Sequence, residues 1–312
     1  MLLVRGVFLT AFRAFATINP LGPIKFVLQM QVVWFGSSVQ ISKRRHILDL
    51  AETHNVTDPR GAVYDVPLNP AEYKVLCPAE APVVQYPYPQ LMGSLNWIVR
   101  GSRPDCQFAF VYLCKFMHSY DKTHWKAAVH LLIYLIRTQN KVLTYTRTKK
   151  EYKCNPIECY VDSDYAEDRN GGRHPYSGCA VFLFGNLIQA RTKRQKLPAV
   201  SSTEAEFYSL GDGLKEFLYV HNLLSEFMII ASLSKIYLDN KGAQYLAQNY
   251  VNNNRTKHLD VRYHFIRHYV HQKLIQLCHI QSEQNLADLF TKGLGRIVFQ
   301  RFVSMILQIM QG

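Results

Sequence analysis

Two kinds of hydrophobic pattern follow one another in the first part of the chain. Residues 24 to 35 (IKFVLQMQVVWF) alternate and are rich in β-branched side chains, which predicts a strand. Residues 42 to 54 (SKRRHILDLAETH) open with a serine cap and predict a helix. Residues 55 to 90 contain most of the prolines and predict a loop, whereas residues 90 to 138 predict two or three helices. The first part therefore combines a strand with a mostly helical remainder.

Strands and helices are mixed in the second part, which follows a basic and weakly patterned stretch. The pattern predicts a strand (157 to 164), a hairpin (178 to 192), a helix (203 to 228), a strand (234 to 239), two helices (241 to 249 and 259 to 272), a strand (273 to 280) and two helices (284 to 291 and 297 to 310). Because antiparallel pairs come first and helices follow, we expect a mixed α/β sheet domain. The expected division is a first domain at 1–140, a basic linker at 141–156 and a second domain with a C-terminal helix at 157–312.

The first sixteen residues, MLLVRGVFLTAFRAFA, are mostly apolar, but Arg5 and Arg13 interrupt them. No apolar run therefore reaches the roughly 18 residues that a membrane-spanning helix needs. The pattern leaves a signal peptide or a mitochondrial presequence open. It favours a start inside a longer parent protein, and with it an intracellular location in cytoplasm or nucleus and no membrane partner.

Charge adds a partner class to this picture. The 312 residues include 36 Lys and Arg but only 23 Asp and Glu, a formal net charge of +13. Such a balance favours a polyanionic partner, either nucleic acid or an anionic membrane surface. The hydrophobic fraction of 48% and charged fraction of 19% are those of a folded protein. The seven cysteines lack paired spacing, so they predict free or buried thiols and no disulfide framework or zinc site.

Four acids stand in unusual places for so basic a chain. Asp162 lies late in a strand (YVDSDYA), Glu206 lies in a helix (SSTEAEFYSL), Asp239 ends a short strand (IYLDN) and Asp288 begins a helix (NLADLF). Unpaired buried charge is costly, so such carboxylates usually pair with cations or metal. Three or four of them together would suit Mg²⁺ or Mn²⁺. Taken singly, each also fits a turn cap or a first helical turn, and spacing alone does not bring them together.

A family resemblance favours the metal interpretation. The motifs YVDSDYAED, HPYSGCAVFLFGNLIQ, KRQKLPAVSSTEAEFYSL, IYLDNKGAQYLAQN, NNNRTKHLDVRYHFIRH and QNLADLFTKGL resemble the ribonuclease H domain of copia-type LTR retrotransposon Pol polyproteins. Upstream, INPLGPIKFVLQMQV, LMGSLNWIVRGSRPDCQFAF and THWKAAVHLLIYL resemble the C-terminal part of their reverse transcriptase. The resemblance implies a mixed α/β fold: a ribonuclease H-like mixed five-stranded sheet with flanking helices. It also implies that a truncated, mostly helical thumb and connection remnant of the polymerase precedes this sheet.

The resemblance also implies chemistry. Ribonucleases H use four acids, which match Asp162, Glu206, Asp239 and Asp288 here. These are expected to hold two Mg²⁺ or Mn²⁺ ions, which activate water and stabilise the leaving oxygen when the RNA strand of an RNA–DNA hybrid is hydrolysed. Many family members carry a further histidine, but His279 does not match its position and receives no catalytic role.

Polymerisation is not expected of this chain. A reverse transcriptase needs paired aspartates in a Y-x-D-D turn, and the sequence contains no Asp-Asp pair. The expected function is therefore a metal-dependent endonuclease of a retrotransposon polyprotein without polymerase activity. The alternative is a catalytically silent relic that at most binds nucleic acid.

Basic residues near the acids are the expected nucleic-acid contacts. A run at 193–196 precedes the Glu206 helix and is expected to contact phosphate, or simply to keep a hairpin end in solvent. Its glutamine is the candidate for a 2′-hydroxyl contact. A histidine stripe (His264, His268, His271) is surrounded by further cations and predicts a solvated or nucleic-acid-facing surface more than a metal site. The predicted contacts are Lys193, Arg194, Gln195, Lys196, Arg255, Lys257 and Arg262.

Overall fold

The computed structural model describes residues 22–59, 64–80, 85–147, 157–165, 174–196, 198–227, 233–249 and 260–311. Its strands, in chain order, are β1 (Phe26–Val27), β2 (Met30–Phe35), β3 (Ser38–Ser42), β4 (Lys141–Thr146), β5 (Ile157–Asp164), β6 (Tyr176–Leu183), β7 (Asn186–Arg194), β8 (Ser234–Leu238), β9 (Ile275–His279) and β10 (Gln308–Ile309). Its α-helices are α1 (Arg44–Thr53), α2 (Pro70–Tyr73), α3 (Tyr88–Ser102), α4 (Gln107–Cys114), α5 (Lys122–Arg137), α6 (Ser202–Glu226), α7 (Lys241–Gln248), α8 (Asp260–His271) and α9 (Arg296–Ile306). Short 3₁₀ turns are Pro104–Cys106, Ser282–Gln284 and Leu286–Phe290.

An antiparallel sheet with strand order β1-β2-β3-β4-β10 frames the first part of the chain. The strand predicted at 24 to 35 is a hairpin, because Leu28 and Gln29 take φ angles of +48° and +58° and form a tight turn between β1 and β2. The predicted linker begins with β4, which pairs with β3 and is therefore part of the sheet. Val142 and Leu143 explain this difference, because both apolar side chains are buried.

The second sheet has the strand order β7-β6-β5-β8-β9. β5, β6 and β7 are antiparallel neighbours, whereas β8 runs parallel to both β5 and β9. This confirms the predicted mixed five-stranded sheet with flanking helices. The parallel strands β5, β8 and β9 all end at the same edge, so residues at their C-terminal ends are brought together.

Two glycines set how closely the neighbouring elements approach this sheet. α6 begins after Ser201, whose hydroxyl accepts the backbone N–H of Glu204, and then crosses β5. A Cβ on Gly213 would lie 2.3 Å from Cγ1 of Val161, so only glycine permits this contact between helix and strand. On β6, a Cβ on Gly178 would lie 2.6 Å from Cγ2 of Thr291, so this glycine lets the segment after Leu286–Phe290 lie against the sheet.

The two faces of the second sheet belong to two hydrophobic clusters. One face packs Cys159, Val161 and Val181 on α6. The other face contributes Tyr176 and Phe182 to a cluster that extends through α3, α4 and α5. The helices of the first part therefore cover the face of the sheet that α6 leaves open.

The C-terminal helix returns to the first part of the chain. In α9, the ring of Phe299 lies 5.9 Å from that of Tyr134 in α5, and both side chains are buried in the same cluster. β10 then pairs with β4 at the edge of the first sheet. The helix predicted as the end of the second domain thus packs on the first part, although the predicted domain boundaries themselves stay a prediction.

No helix in the described ranges combines the length and apolar character that crossing a membrane requires. The six cysteines within those ranges are all free thiols, as their spacing predicts.

Candidate active site

Asp162 lies near the C-terminal end of β5 and is only 3% exposed. Its carboxylate accepts a hydrogen bond from the hydroxyl of Thr291 at Oδ2, and its backbone carbonyl accepts one from the hydroxyl of Ser209. Its neighbour across the sheet is Gly178, which leaves room for the chain segment that carries Thr291. Elements from three distant parts of the sequence therefore surround Asp162, and the hydroxyl of Thr291 orients its carboxylate.

Glu206 and Asp239 approach the same place from other elements. Glu206 lies in the second turn of α6 and is 7% exposed. It accepts the backbone N–H of Ser163, but its Oε2 is buried without a hydrogen-bond partner among the described residues. Asp239 directly follows β8, is half-buried, and accepts a hydrogen bond of 2.6 Å from the hydroxyl of Ser282. The unpartnered Oε2 marks a position that a ligand would complete.

The three carboxylates converge. One oxygen each from Asp162, Glu206 and Asp239 lies within 4.8 Å of the others. In the described part of the chain no other three His, Cys, Asp or Glu side chains meet in this way. Two like charges at this separation repel by about 3–4 kcal/mol at an effective dielectric constant of about 20. A cation at the centre would offset that repulsion.

Asp288 completes the predicted set in a different geometry. It lies in the 3₁₀ turn Leu286–Phe290, where an α-helix was predicted, and its carboxyl is close enough to that of Asp162 for Asp162 to raise its pKa. Asn285 fixes this turn: its Nδ2 donates to the carbonyl of Val161 at 2.9 Å and its Oδ1 accepts the N–H of Ala287 at 3.2 Å. An ion pair of 2.9 Å joins Asp288 to Lys292. All four predicted acids are therefore neighbours.

Charge crowding shows in the pKa values of these acids. Burial raises the pKa of Asp162, an effect that Lys292 and Thr291 oppose. Burial and then the nearby charges of Asp162 and Asp239 raise the pKa of Glu206 well above its ordinary value. Burial and then Asp162 raise the pKa of Asp288 to about 7. The cluster is thus built for a positive charge that the carboxylates themselves do not supply.

The donor set fits a hard divalent cation. Every ligand atom is a carboxylate oxygen, which is the donor that Mg²⁺ and Mn²⁺ prefer, and no nitrogen or sulfur joins the group. The buried, unpartnered Oε2 of Glu206 fits the same ion. The residues present therefore fit the predicted metal.

The supporting residues were not predicted, and three of them, Asn285, Thr291 and Lys292, lie close to Asp288 in the sequence. They lie three residues before, three after and four after Asp288, in the run NLADLFTK. A turn of 3₁₀ helix or α-helix returns the chain to nearly the same side after three or four residues. That spacing was the available signal.

The predicted nucleic-acid contacts are dispersed. The ammonium of Lys193 pairs with Asp212 at 2.9 Å, and the guanidinium of Arg262 lies over the ring of Tyr208 at 4.4 Å. Arg194 is half-buried and Lys196 is exposed. Two further predicted contacts, Arg255 and Lys257, lie outside the described residues.

The prediction for Gln195 needs correction. Its side chain is 6% exposed, and its Nε2 donates to Ser177 Oγ at 2.9 Å, to the carbonyl of Ala205 at 2.9 Å and to Ser163 Oγ at 3.3 Å. These contacts hold the amide nitrogen, and Oε1 is buried without a hydrogen-bond partner among the described residues, so the amide does not present itself at the surface to a 2′-hydroxyl. Gln195 instead joins β5, β6 and the start of α6 beside Glu206.

The histidines stay outside the acidic group. His264, His268 and His271 are exposed on α8, and within the described ranges they form no metal-binding cluster. His279 is exposed at the end of β9, opposite Leu238 and one strand away from Asp239. No described contact gives His279 a catalytic role.

Comparison with known proteins places the chain among transposon proteins. No protein-family model matches it. It is 32% identical over 271 residues to the retrovirus-related Pol polyprotein from transposon RE1 of Arabidopsis thaliana, a match that covers 86% of this chain and 18% of that protein. It is 29% identical over 287 residues to the retrovirus-related Pol polyprotein from transposon TNT 1-94 of Nicotiana tabacum, covering 90% of this chain and 21% of that protein. The chain thus spans only a small part of the length of these relatives.

Among solved structures, LC11-RNase H1, isolated from compost by a metagenomic approach, is 18% identical and covers 44% of this chain and 94% of its own, with a TM-score of 0.35. A foamy viral protease-reverse transcriptase (dRH) in complex with double-stranded DNA is 8% identical and covers 81% of this chain and 38% of its own, with a TM-score of 0.46. Strand order and orientation, and not these superpositions, carry the fold assignment. The matches over most of its length show that the chain belongs to the retrovirus-related Pol polyproteins of copia-type transposons.

Proposed function

We propose that this chain is a metal-dependent endonuclease that hydrolyses the RNA strand of RNA–DNA hybrids. The observation that carries the proposal is the meeting of Asp162, Glu206 and Asp239, with one carboxylate oxygen from each within 4.8 Å of the others. Membership of the Pol polyproteins supports a nucleic-acid substrate, and so does the formal net charge of +13.

The four carboxylates would hold two Mg²⁺ or Mn²⁺ ions. The chemistry that such bound ions supply is activation of a water and neutralisation of the charge on the scissile phosphate and the leaving oxygen. Asp162, Glu206 and Asp239 share the central position, and Asp288 joins it through Asp162.

The remaining residues position these acids. The hydroxyls of Thr291 and Ser282 each donate to a cluster carboxylate, Thr291 to Asp162 and Ser282 to Asp239. Donated hydrogen bonds fix the orientation of a carboxylate and leave its other oxygen for a cation. Fixed orientation matters because ligands that are already in place need no reorganisation when substrate and metal bind.

Basic side chains near the cluster would hold the phosphate backbone. Lys196 is exposed two residues after the end of β7, and Arg262 lies over the ring of Tyr208 in the second turn of α6. Lys193 and Arg194 belong to the same proposed surface, although Lys193 already pairs with Asp212. Contacts of this kind position a duplex without reading its sequence.

A cleavage assay tests the proposal. The full chain is incubated with hybrids labelled on either strand, with Mg²⁺, with Mn²⁺ or with EDTA. We expect internal cuts in the RNA strand with either metal and none in EDTA, in the DNA strand or in duplex DNA. Binding to the hybrid without any cut would instead support the alternative, a catalytically silent relic. The sequence motivates this alternative, because it has no Asp-Asp pair and hence no polymerase centre.

A further inference from the structure

Lys292 lies beside the carboxylate cluster with its ammonium 2.9 Å from Oδ1 of Asp288. The backbone returns it there, because the N–H groups of Thr291 and Lys292 both donate to the carbonyl of Asp288, at 3.3 Å and 3.4 Å. Two-thirds of the side chain is buried, since 33% of it is exposed. Its ammonium therefore contacts a carboxylate of the cluster directly.

The charge of Lys292 acts on more than its direct partner. It lowers the pKa of both Asp162 and Glu206 against the larger effect of their burial. The pKa of Lys292 itself is raised: burial opposes this, but the charges of Asp162, Asp288 and Asp164 outweigh it. One ammonium therefore faces several carboxylates at once.

We propose that Lys292 is a built-in counter-ion of the carboxylate cluster, which holds Asp288 and its neighbours in place while no divalent cation is bound. This inference rests on the proposed metal site. A divalent cation and Lys292 then neutralise the same charges, so each matters less when the other is present. Lys292 is accordingly a positioning residue and not a ligand.

A surface ion pair of the ordinary kind would behave differently. Such pairs contribute little, and their contribution does not depend on a metal bound nearby. The chain offers a matched example in Lys193 and Asp212, also 2.9 Å apart, with side chains 34% and 14% exposed against 33% and 10% for Lys292 and Asp288. Lys193 pairs with Asp212, which is not one of the four cluster acids, and therefore serves as the control.

The test is thermal unfolding of the full chain at pH 8, in EDTA and in saturating Mg²⁺. In EDTA, Lys292→Met should lower the unfolding midpoint by about 3–6 °C, the size expected when a charge-assisted contact is lost. In Mg²⁺ that deficit should fall to less than half. Lys292→Arg, which keeps the charge, should lie close to the wild type in both conditions. Lys193→Met should lower the unfolding midpoint by the same small amount in EDTA and in Mg²⁺.

A double variant isolates the interaction. In EDTA, Lys292→Met should have almost no effect in an Asp288→Asn background, because the charge that it neutralises is gone. Should Lys292→Met alone not fold, folding of the double variant would still support the inference, and failure of both to fold would contradict it.

The outcomes separate the two proposals. If Mg²⁺ stabilises the wild type but the Lys292→Met deficit is equal in EDTA and in Mg²⁺, the counter-ion inference is wrong and the metal site stands. If neither Mg²⁺ nor Mn²⁺ stabilises the wild type, the proposed metal site is wrong. The measurements in EDTA then decide separately whether Lys292 neutralises the cluster.

Discussion

Asp105 in the first part of the chain and Glu206 in the second are both buried acids, 1% and 7% exposed. Asp105 is surrounded by partners: Arg103 donates to both of its oxygens, at 2.9 Å and 2.7 Å, and the hydroxyl of Tyr134 donates at 2.6 Å. Glu206 has Oε2 without a partner among the described residues and has two other acids as neighbours. Its neighbours therefore neutralise the charge of Asp105, whereas the neighbours of Glu206 are themselves acids.

The pKa directions follow from this difference. Burial alone would raise the pKa of Asp105, but the Arg103 guanidinium and the Tyr134 hydroxyl outweigh it and hold the pKa below its ordinary value. Burial raises the pKa of Glu206, and Asp162 and Asp239 raise it further. A buried acid whose charge the protein neutralises serves the fold, whereas a buried cluster of acids whose pKa values stay raised is a candidate functional site.

The largest expected effect is on catalysis. Asp162→Asn and Asp239→Asn should each lower the rate of hybrid cleavage by on the order of 10³-fold or more, because each removes a charge that would hold metal. The measurement is single-turnover cleavage of a labelled hybrid in Mg²⁺, with circular dichroism to verify the fold. Asp105→Asn, measured at a temperature where it is folded, should retain wild-type cleavage, and an equal loss there would erase the contrast between the two sites.

The same variants should reverse their order when stability is measured. Asp105→Asn leaves Arg103 buried without its charged partner and should lower the free energy of unfolding by about 3–5 kcal/mol. Asp239→Asn removes a repelling charge and should change that free energy by no more than about 0.5 kcal/mol, or raise it, in EDTA. Denaturant unfolding in EDTA checks this, and a strongly destabilised Asp239→Asn protein would show that the cluster is structural.

Stability should depend on pH in opposite senses at the two sites. The folded pKa of Asp288 is about 7, above its value of about 3.9 in an unfolded chain, so its contribution is present below pH 4 and is lost as the pH rises towards 7. The folded pKa of Asp105 is lowered, so its contribution is present above about pH 4 and is lost as the pH falls. Unfolding of wild type, Asp288→Asn and Asp105→Asn in EDTA from pH 3 to 8 gives both differences. A wild type that gains stability over Asp288→Asn between pH 4 and 7 would contradict the crowded-charge account.

Smaller effects are expected where the site meets the duplex. Gln195→Ala should lower the free energy of unfolding by about 1–3 kcal/mol, because buried polar groups lose their partner, and should leave the preference for hybrid over duplex DNA unchanged.

Changing Lys193, Arg194 and Lys196 together to alanine should flatten the slope of log K against log salt by up to about three units. Binding titrations in Ca²⁺ measure the hybrid preference and the salt slope. An unchanged slope would place the run 193–196 away from the phosphate backbone of the duplex.

Much of this fold was predictable because its signals are local. The strand predicted at 157 to 164 is observed as Ile157–Asp164. The hairpin and the helix that carries Glu206 begin within two residues of their predicted starts. The four acids came from motifs, each of which is a short run of sequence. Their convergence follows from strand order, which the family resemblance supplied and spacing did not.

What could not be predicted depends on contacts between distant residues. The burial of Gln195 follows from its contacts with Ser163, Ser177 and Ala205, and the neutralisation of Lys193 follows from Asp212 on α6. No periodicity in the basic run distinguishes a lysine that pairs with an acid on a neighbouring helix from a lysine that faces solvent. The turn at Leu28 could likewise not be predicted, because no glycine marks the position that has a positive φ angle.

A matched pair of variants on one helix tests the proposal that the three converging carboxylates are a catalytic metal site. Glu206 and Glu226 are both on α6, but Glu226 is the exposed last residue of the helix. Single-turnover cleavage of the RNA strand is measured against Mg²⁺ concentration for the wild type, Glu206→Gln and Glu226→Gln. We expect Mg²⁺-dependent cleavage that Glu226→Gln retains and Glu206→Gln loses at every Mg²⁺ concentration. Cleavage by Glu206→Gln at the wild-type rate, or cleavage by the wild type in EDTA, would contradict it.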